Sequence, residues 1–169
     1  MAFEGIAECA VEERSVPLVV FDCNLFVQAV GKGGNHAFRC LQLAMDGKVA
    51  LCMSAAILEE IREVLARPIV RNYFPMLDDA RVEALIAWLR EFALFLDPVP
   101  HVFDYPADPK DEPYIDLAIA AGAVYLVSWD KHIKNLADGE RTEGKRFMSE
   151  HPEVVIMDPK AFLSAYFSS

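Results

Sequence analysis

Residues 17–26 read Pro17-Leu18-Val19-Val20-Phe21-Asp22-Cys23-Asn24-Leu25-Phe26. The run up to Phe21 is continuously apolar and rich in Val, as expected of a strand buried on both faces. Asp22 ends it, and an apolar stretch with helical character follows. A carboxylate at the carboxyl end of a buried strand, just before a helix, lies where open α/β sheets keep their active-site crevice. A helix-capping acid would look the same. What gives Asp22 weight is that Glu60, Asp111 and Asp130 recur at similar junctions.

Working outward, strands alternate with helices. His36 to Met45 has helical spacing, and Val49 to Met53 reads as a second strand. Ser54 caps a helix running to about Ala66, stopped by Arg67-Pro68. Residues 69–74 form a short helix or turn. The spacing predicts a long amphipathic helix from Asp78 to Phe95. Four prolines over 97–110 mark strand edge and loop. A helix is expected from about Glu112, with Pro113 in its first turn and Gly122 after its end. Ala123 to Ser128 is another buried strand, Lys131 to Leu136 a short helix, and 138–152 a polar stretch with room for a further helical turn. Val154 to Met157 and Pro159 to Phe167 supply a last strand and helix. The alternation implies a mostly parallel sheet of about four or five strands covered by helices. Residues 1–16 are expected to be an appendage and 17–169 the domain.

The bulk numbers narrow the function classes. The chain has 169 residues, 54% of them apolar, enough for one domain with a real core. No apolar run approaches the ~20 residues of a membrane helix. Met1 to Arg14 carries four Glu and one Arg and has no signal-peptide pattern, so a cytoplasmic location is expected. The four cysteines form no CxxC pair, which argues against zinc. A net charge of −10 argues against broad, nonspecific nucleic-acid binding and suits a basic partner chain.

Helix geometry sorts the acids. In the helix after Ser54, Ile57, Leu58, Ile61, Val64 and Leu65 form one apolar arc. Glu59 and Glu63 lie nearly opposite it, and Glu60 lies at its edge. In the next acidic helix, Asp111 shares a stripe with Ile115, Ala118 and Gly122. Asp116 is turned away from that stripe by roughly 140°. Two carboxylates ~4 Å apart repel by about 4 kcal/mol at an effective dielectric near 20. Four in one crevice either raise one another's pKa or bind cations. Hard oxygen ligands select Mg²⁺ or Mn²⁺, ions that can activate water and hold a phosphate. No P-loop competes, since Gly31-Lys32-Gly33-Gly34 lacks its ending and reads as a turn. A phosphatase of the haloacid-dehalogenase type wants Asp where Asn24 stands.

Val19-Val20-Phe21-Asp22-Cys23-Asn24-Leu25-Phe26 resembles the opening block of PIN-domain nucleases, usually Asp-Thr-Asn followed by apolar residues. Residues Ser54 to Pro68 resemble the second block of one branch, whose acid falls on Glu60. Asp108-Pro109-Lys110-Asp111, followed by Leu117-Ala118, resembles the third, with its acid on Asp111. Tyr125 to Lys131 resembles the fourth, with its acid on Asp130. The resemblance covers roughly residues 17–165. It implies a three-layer α/β/α fold and a Mg²⁺- or Mn²⁺-dependent ribonuclease, similar to VapC-like toxins of type II toxin–antitoxin systems. Asp22, Glu60, Asp111 and Asp130 would then be both catalytic residues and metal ligands, supported by Asn24 and Ser128. An RNA substrate, a cognate antitoxin and a homodimer are further implications. Lys131, Lys134 and Arg62 are candidates for guiding phosphates. A catalytically weak RNA- or protein-binding module on the same fold is the alternative. Two positions depart from the pattern: Cys23 replaces the usual Thr, and Trp129 stands where Gly or a polar residue is commoner.

Overall fold

The computed structural model describes residues 16–167. The expected appendage falls, apart from Val16, outside the described residues. Five strands form one parallel sheet: β1 (Leu18–Phe21), β2 (Ala50–Met53), β3 (Leu94–Phe95), β4 (Tyr125–Val127) and β5 (Val155–Met157), in the order β3-β2-β1-β4-β5. Each connection between neighbouring parallel strands carries helix, as parallel pairing requires. The helices are α1 (Cys23–Lys32), α2 (His36–Met45), α3 (Ala55–Ala66), α4 (Pro68–Tyr73), α5 (Asp79–Phe92), α6 (Glu112–Ala121), α7 (Lys131–Asn135), α8 (Thr142–Glu150) and α9 (Pro159–Phe167). Val19, Val20 and Phe21 are all buried, so both faces of β1 are covered. The result is a three-layer α/β/α arrangement.

The strand order turns round at β1. The chain runs outward from β1 through β2 to β3, then crosses to β4 on the other side. Crevices for ligands open at such a switch point, beyond the carboxyl ends of the strands. The register fixes what meets there. Phe21 pairs with Val127, so Asp22 and Ser128 emerge side by side. The Asp22 N–H donates to the Val127 carbonyl at 3.2 Å.

Local chemistry sets the helix ends. Ser54 Oγ accepts the Ile57 N–H at 3.2 Å, and Asp97 accepts the Ala55 N–H at 3.0 Å, so α3 is capped twice. Gly122 follows α6 at φ 67°, a left-handed conformation that favours glycine. Gly31 lies inside α1 because a Cβ there would stand 2.6 Å from the Phe74 ring. Helix α1 thus runs into the glycine stretch, and the turn is confined to Gly33 and Gly34, both at positive φ.

Two boundaries differ from the sequence reading. Helix α5 ends at Phe92 rather than Phe95, because Leu94 and Phe95 pair with Cys52 and Met53 as the edge strand. The polar stretch after Leu136 holds a helix of nine residues, α8, rather than one turn. Its sequence hides it, since only Gly144 and Phe147 of α8 are buried.

Candidate active site

Asp22 caps α1 and faces the switch point. Its Oδ1 accepts the Asn24 N–H at 2.7 Å, and its Oδ2 accepts the Ser128 hydroxyl. It is only 7% exposed. Burial pushes its pKa up. The hydrogen bonds from Ser128 and Asn24 pull the other way, while the negative charges of Asp130 and Glu60 add to the rise.

Ser128 ties two acids together. While donating to Asp22, its Oγ accepts the Asp130 N–H at 2.8 Å. Asp130 in turn caps α7, accepting the His132 N–H at 2.7 Å. Both strand-end acids are therefore caps and members of the crevice at once. Each carboxylate oxygen has two lone pairs, so an accepted hydrogen bond does not use up its capacity as a ligand.

Asp111 differs. It precedes α6 but makes no side-chain cap. Its Oδ2 is buried with no hydrogen-bond partner, the sole such side-chain atom among the described residues. Ligand atoms of Asp108, Asp111 and Asp130 all lie within 4.8 Å of one another. Burial, then the charges of Asp130, Asp108 and Asp22, push the Asp111 pKa up to about 7. Asp111 is thus the least comfortable anion of the group.

Glu60 reaches the crevice from α3 and is half-buried, while Glu59 and Glu63 are exposed. Its Oε2 accepts the hydroxyl of Tyr114, a buried residue of α6. Its charge adds to the rise at Asp22. The acids whose ligand atoms all lie within 4.8 Å of one another are Asp108, Asp111 and Asp130, without Glu60 or Asp22. Cys23, beside Glu60, has its pKa pushed up to about 12 by burial and by the charges of Glu60 and Asp22. It is a neutral thiol at physiological pH. Trp129 is partly buried and packs against the core.

The supporting candidates divide. Ser128 makes the contacts just described. Asn24 reaches Asp22 through its backbone N–H, and its side chain is exposed. Two of the three basic candidates are occupied elsewhere. Arg62 lies 3.6 Å from Glu83, and Lys134 lies 3.7 Å from Asp158. Lys131 is exposed one residue after Asp130. Arg67 is better placed than Arg62. It is exposed, stands just past the end of α3 as its C-cap, and its charge is felt at Cys23.

Three residues escaped the sequence reading. Asp108 joins the acid cluster, and its one signal is the spacing of three to Asp111. Tyr114 holds Glu60. Asp116 is turned from the Asp111 stripe as geometry demands, yet it is 5% exposed rather than in solvent. Its Oδ1 accepts the N–H groups of Val102 and Phe103, both at 2.9 Å, and so pins the loop before Asp108.

The carboxylate set fits a hard divalent cation: oxygen donors only, mutually repelling, one with a buried free oxygen. A second group, His101, Asp104 and Glu112, also has close donor atoms. There, both ring nitrogens of His101 are engaged, Nε2 with Asp104 at 2.7 Å and Nδ1 with Asp116 at 2.8 Å. These two contacts push its pKa up to about 9. A doubly protonated imidazole has no lone pair for a metal. An apolar groove of about 570 Å³, lined by Val30, Phe38, Met45 and Trp88 among others, has no acid in its wall.

A family model of the PIN domain matches residues 18–132, more than half of the chain. The chain belongs to the PIN-domain family. No curated protein and no solved structure matches it. The matched span contains Asp22, Glu60, Asp108, Asp111, Ser128 and Asp130. PIN domains are generally metal-dependent nucleases. Among the described residues, no helix is long and apolar enough to cross a membrane.

Proposed function

We propose that this PIN domain is a Mg²⁺- or Mn²⁺-dependent endoribonuclease, the toxin of a toxin–antitoxin pair similar to VapC-like proteins. The observation that carries the reading is the meeting of Asp22 and Asp130 at adjacent strand ends, with the unpartnered Asp111 oxygen beside them. Asp22, Glu60, Asp111 and Asp130 would hold the cation. Once bound, it would lower the pKa of water and neutralise charge on a phosphodiester.

The chain's own groups prepare that site. Ser128 keeps Asp22 and Asp130 at a fixed separation. Asp111, with its pKa near 7, carries a proton on a large share of metal-free molecules, and cation binding expels it. Cys23 stays neutral and adds no charge. Arg67 and Lys131 stand near the crevice as exposed cations for substrate phosphates.

A cognate antitoxin, a homodimer and a cytoplasmic location belong to the same proposal. The net charge of −10 favours a basic antitoxin segment. One observation favours a second reading, a weakly catalytic binding module. Arg62, Arg71, Lys134 and Arg141 are all engaged with acids, which takes up Arg62 and Lys134, two of the three candidate phosphate guides.

The test is cleavage of a panel of single-stranded RNAs, with a matched DNA panel, in Mg²⁺ or Mn²⁺. The wild type cuts RNA, EDTA stops it, and Asp22→Asn is inactive while folded. Equal cleavage by wild type and Asp22→Asn overturns the reading. Metal binding without cleavage of any RNA favours the binding module.

A further inference from the structure

We propose that Tyr114 is the positioning residue that holds Glu60 in the carboxylate crevice and thereby sets the crevice's affinity for a divalent cation. The proposal rests on the cation-centre reading above and concerns which residue tunes that centre.

Glu60 needs such a partner. It sits on α3 between the buried Ile57 and Ile61 on one side and the exposed Glu59 and Glu63 on the other. A long, flexible side chain at such a rim is drawn toward water. Fixing it costs on the order of 1.5–2 kcal/mol of rotamer entropy. The other three acids are fixed by their own backbones, at strand ends and at a helix start. Glu60 alone comes from the middle of a helix.

Tyr114 supplies the restraint from a different element. It is 3% exposed on α6, a helix that packs against β1 and β4, so its ring has little freedom. Its hydroxyl donates to Glu60 Oε2 at 2.5 Å. The bond joins α3 to α6 across the crevice and leaves Oε1 as the oxygen available to a cation. Cys23 lies beside the pair, and a thiol is too weak a donor to do this work. A phenylalanine at 114 would fill the same space without the bond. Partners that orient metal ligands typically change metal affinity by about 10–100-fold when removed.

The experiment is Mn²⁺ calorimetry on wild type, Tyr114→Phe, Glu60→Gln and the double variant, with thermal melts beside it. Tyr114→Phe is expected to weaken Mn²⁺ binding about tenfold. If Tyr114 acts through Glu60, adding Tyr114→Phe to Glu60→Gln causes no further loss. Unchanged Mn²⁺ affinity in Tyr114→Phe, or losses that add in the double variant, overturns the proposal, whatever happens to the melting temperature. A metal-free readout keeps the two readings apart. Side-chain ¹³C relaxation of Glu60 should show greater mobility in Tyr114→Phe than in wild type. Equal mobility overturns the positioning role, whereas absence of Mn²⁺ binding by wild type overturns the cation centre.

Discussion

Replacing Asp111 by Asn should stabilise the metal-free protein above neutral pH and remove its response to metal. Folding raises the Asp111 pKa from an ordinary 3.8 to about 7, chiefly by burial. The native state therefore binds more protons than the unfolded state between those values, and stability falls as pH rises through that window. Fully shielded, such a change is worth about 4 kcal/mol at 1.36 kcal/mol per pH unit. Asp111 is only half-buried, and solvent screening reduces this to about 1–2 kcal/mol. Asparagine keeps the shape and cannot ionise. Its advantage should be near zero at about pH 4 and complete above about pH 7, a rise in melting temperature of about 3–6 °C for a chain of this size. Thermal melts in EDTA across pH 4–8.5 measure it. Mn²⁺ at a hundredfold its dissociation constant adds about 2.7 kcal/mol to the wild type and reverses the order. An Asn variant less stable than wild type at pH 8 in EDTA, or a difference independent of pH, refutes the reasoning.

Other consequences follow from the same contacts. Ser128→Ala leaves Asp22 Oδ2 and the Asp130 N–H without their shared partner. It should cost about 1–3 kcal/mol in a denaturant melt. Arg67→Ala should raise KM for RNA more than it lowers kcat and flatten the salt dependence by about one phosphate contact. Arg62→Ala, with its guanidinium beside Glu83, should change neither. Gly31→Ala drives a methyl into the Phe74 ring and should cost about 1–3 kcal/mol in thermal or denaturant unfolding.

Much of this architecture is written locally. The Val-rich run before Asp22, the Ser54 cap and the glycine after α6 each act within a few residues, and each element stands where its signal puts it. The choice of Glu60 over Glu59 needs only the 100° step of a helix, since one side of α3 is buried where it packs against α1 and α5. Where pairing partners are distant, the signal is absent. Nothing in Leu94-Phe95 distinguishes a last helical turn from an edge strand until β2 offers its hydrogen bonds. Helix α8 escapes because its exposed residues carry no apolar period.

The crevice divides in the same way. Asp22 and Asp130 are legible as strand-end acids, but their link through Ser128 depends on the register between β1 and β4. Tyr114 is separated from Glu60 by 54 residues, so the bond between them exists only in the folded chain. Asp116 is turned from the Asp111 stripe and is a buried anchor, because a loop folds back to cover it and supplies the N–H groups. The basic residues mislead for the opposite reason. Their number suggests a phosphate path, while the fold pairs Arg62, Arg71, Lys134 and Arg141 with acids.

The central claim is that the carboxylates at the switch point form one divalent-cation centre. Anomalous diffraction from crystals soaked in Mn²⁺ tests it most directly. The account predicts a peak bounded by Asp22, Glu60, Asp111 and Asp130, absent in Asp111→Asn crystals. A peak at His101, Asp104 and Glu112, or none at the switch point under saturating Mn²⁺, would contradict it.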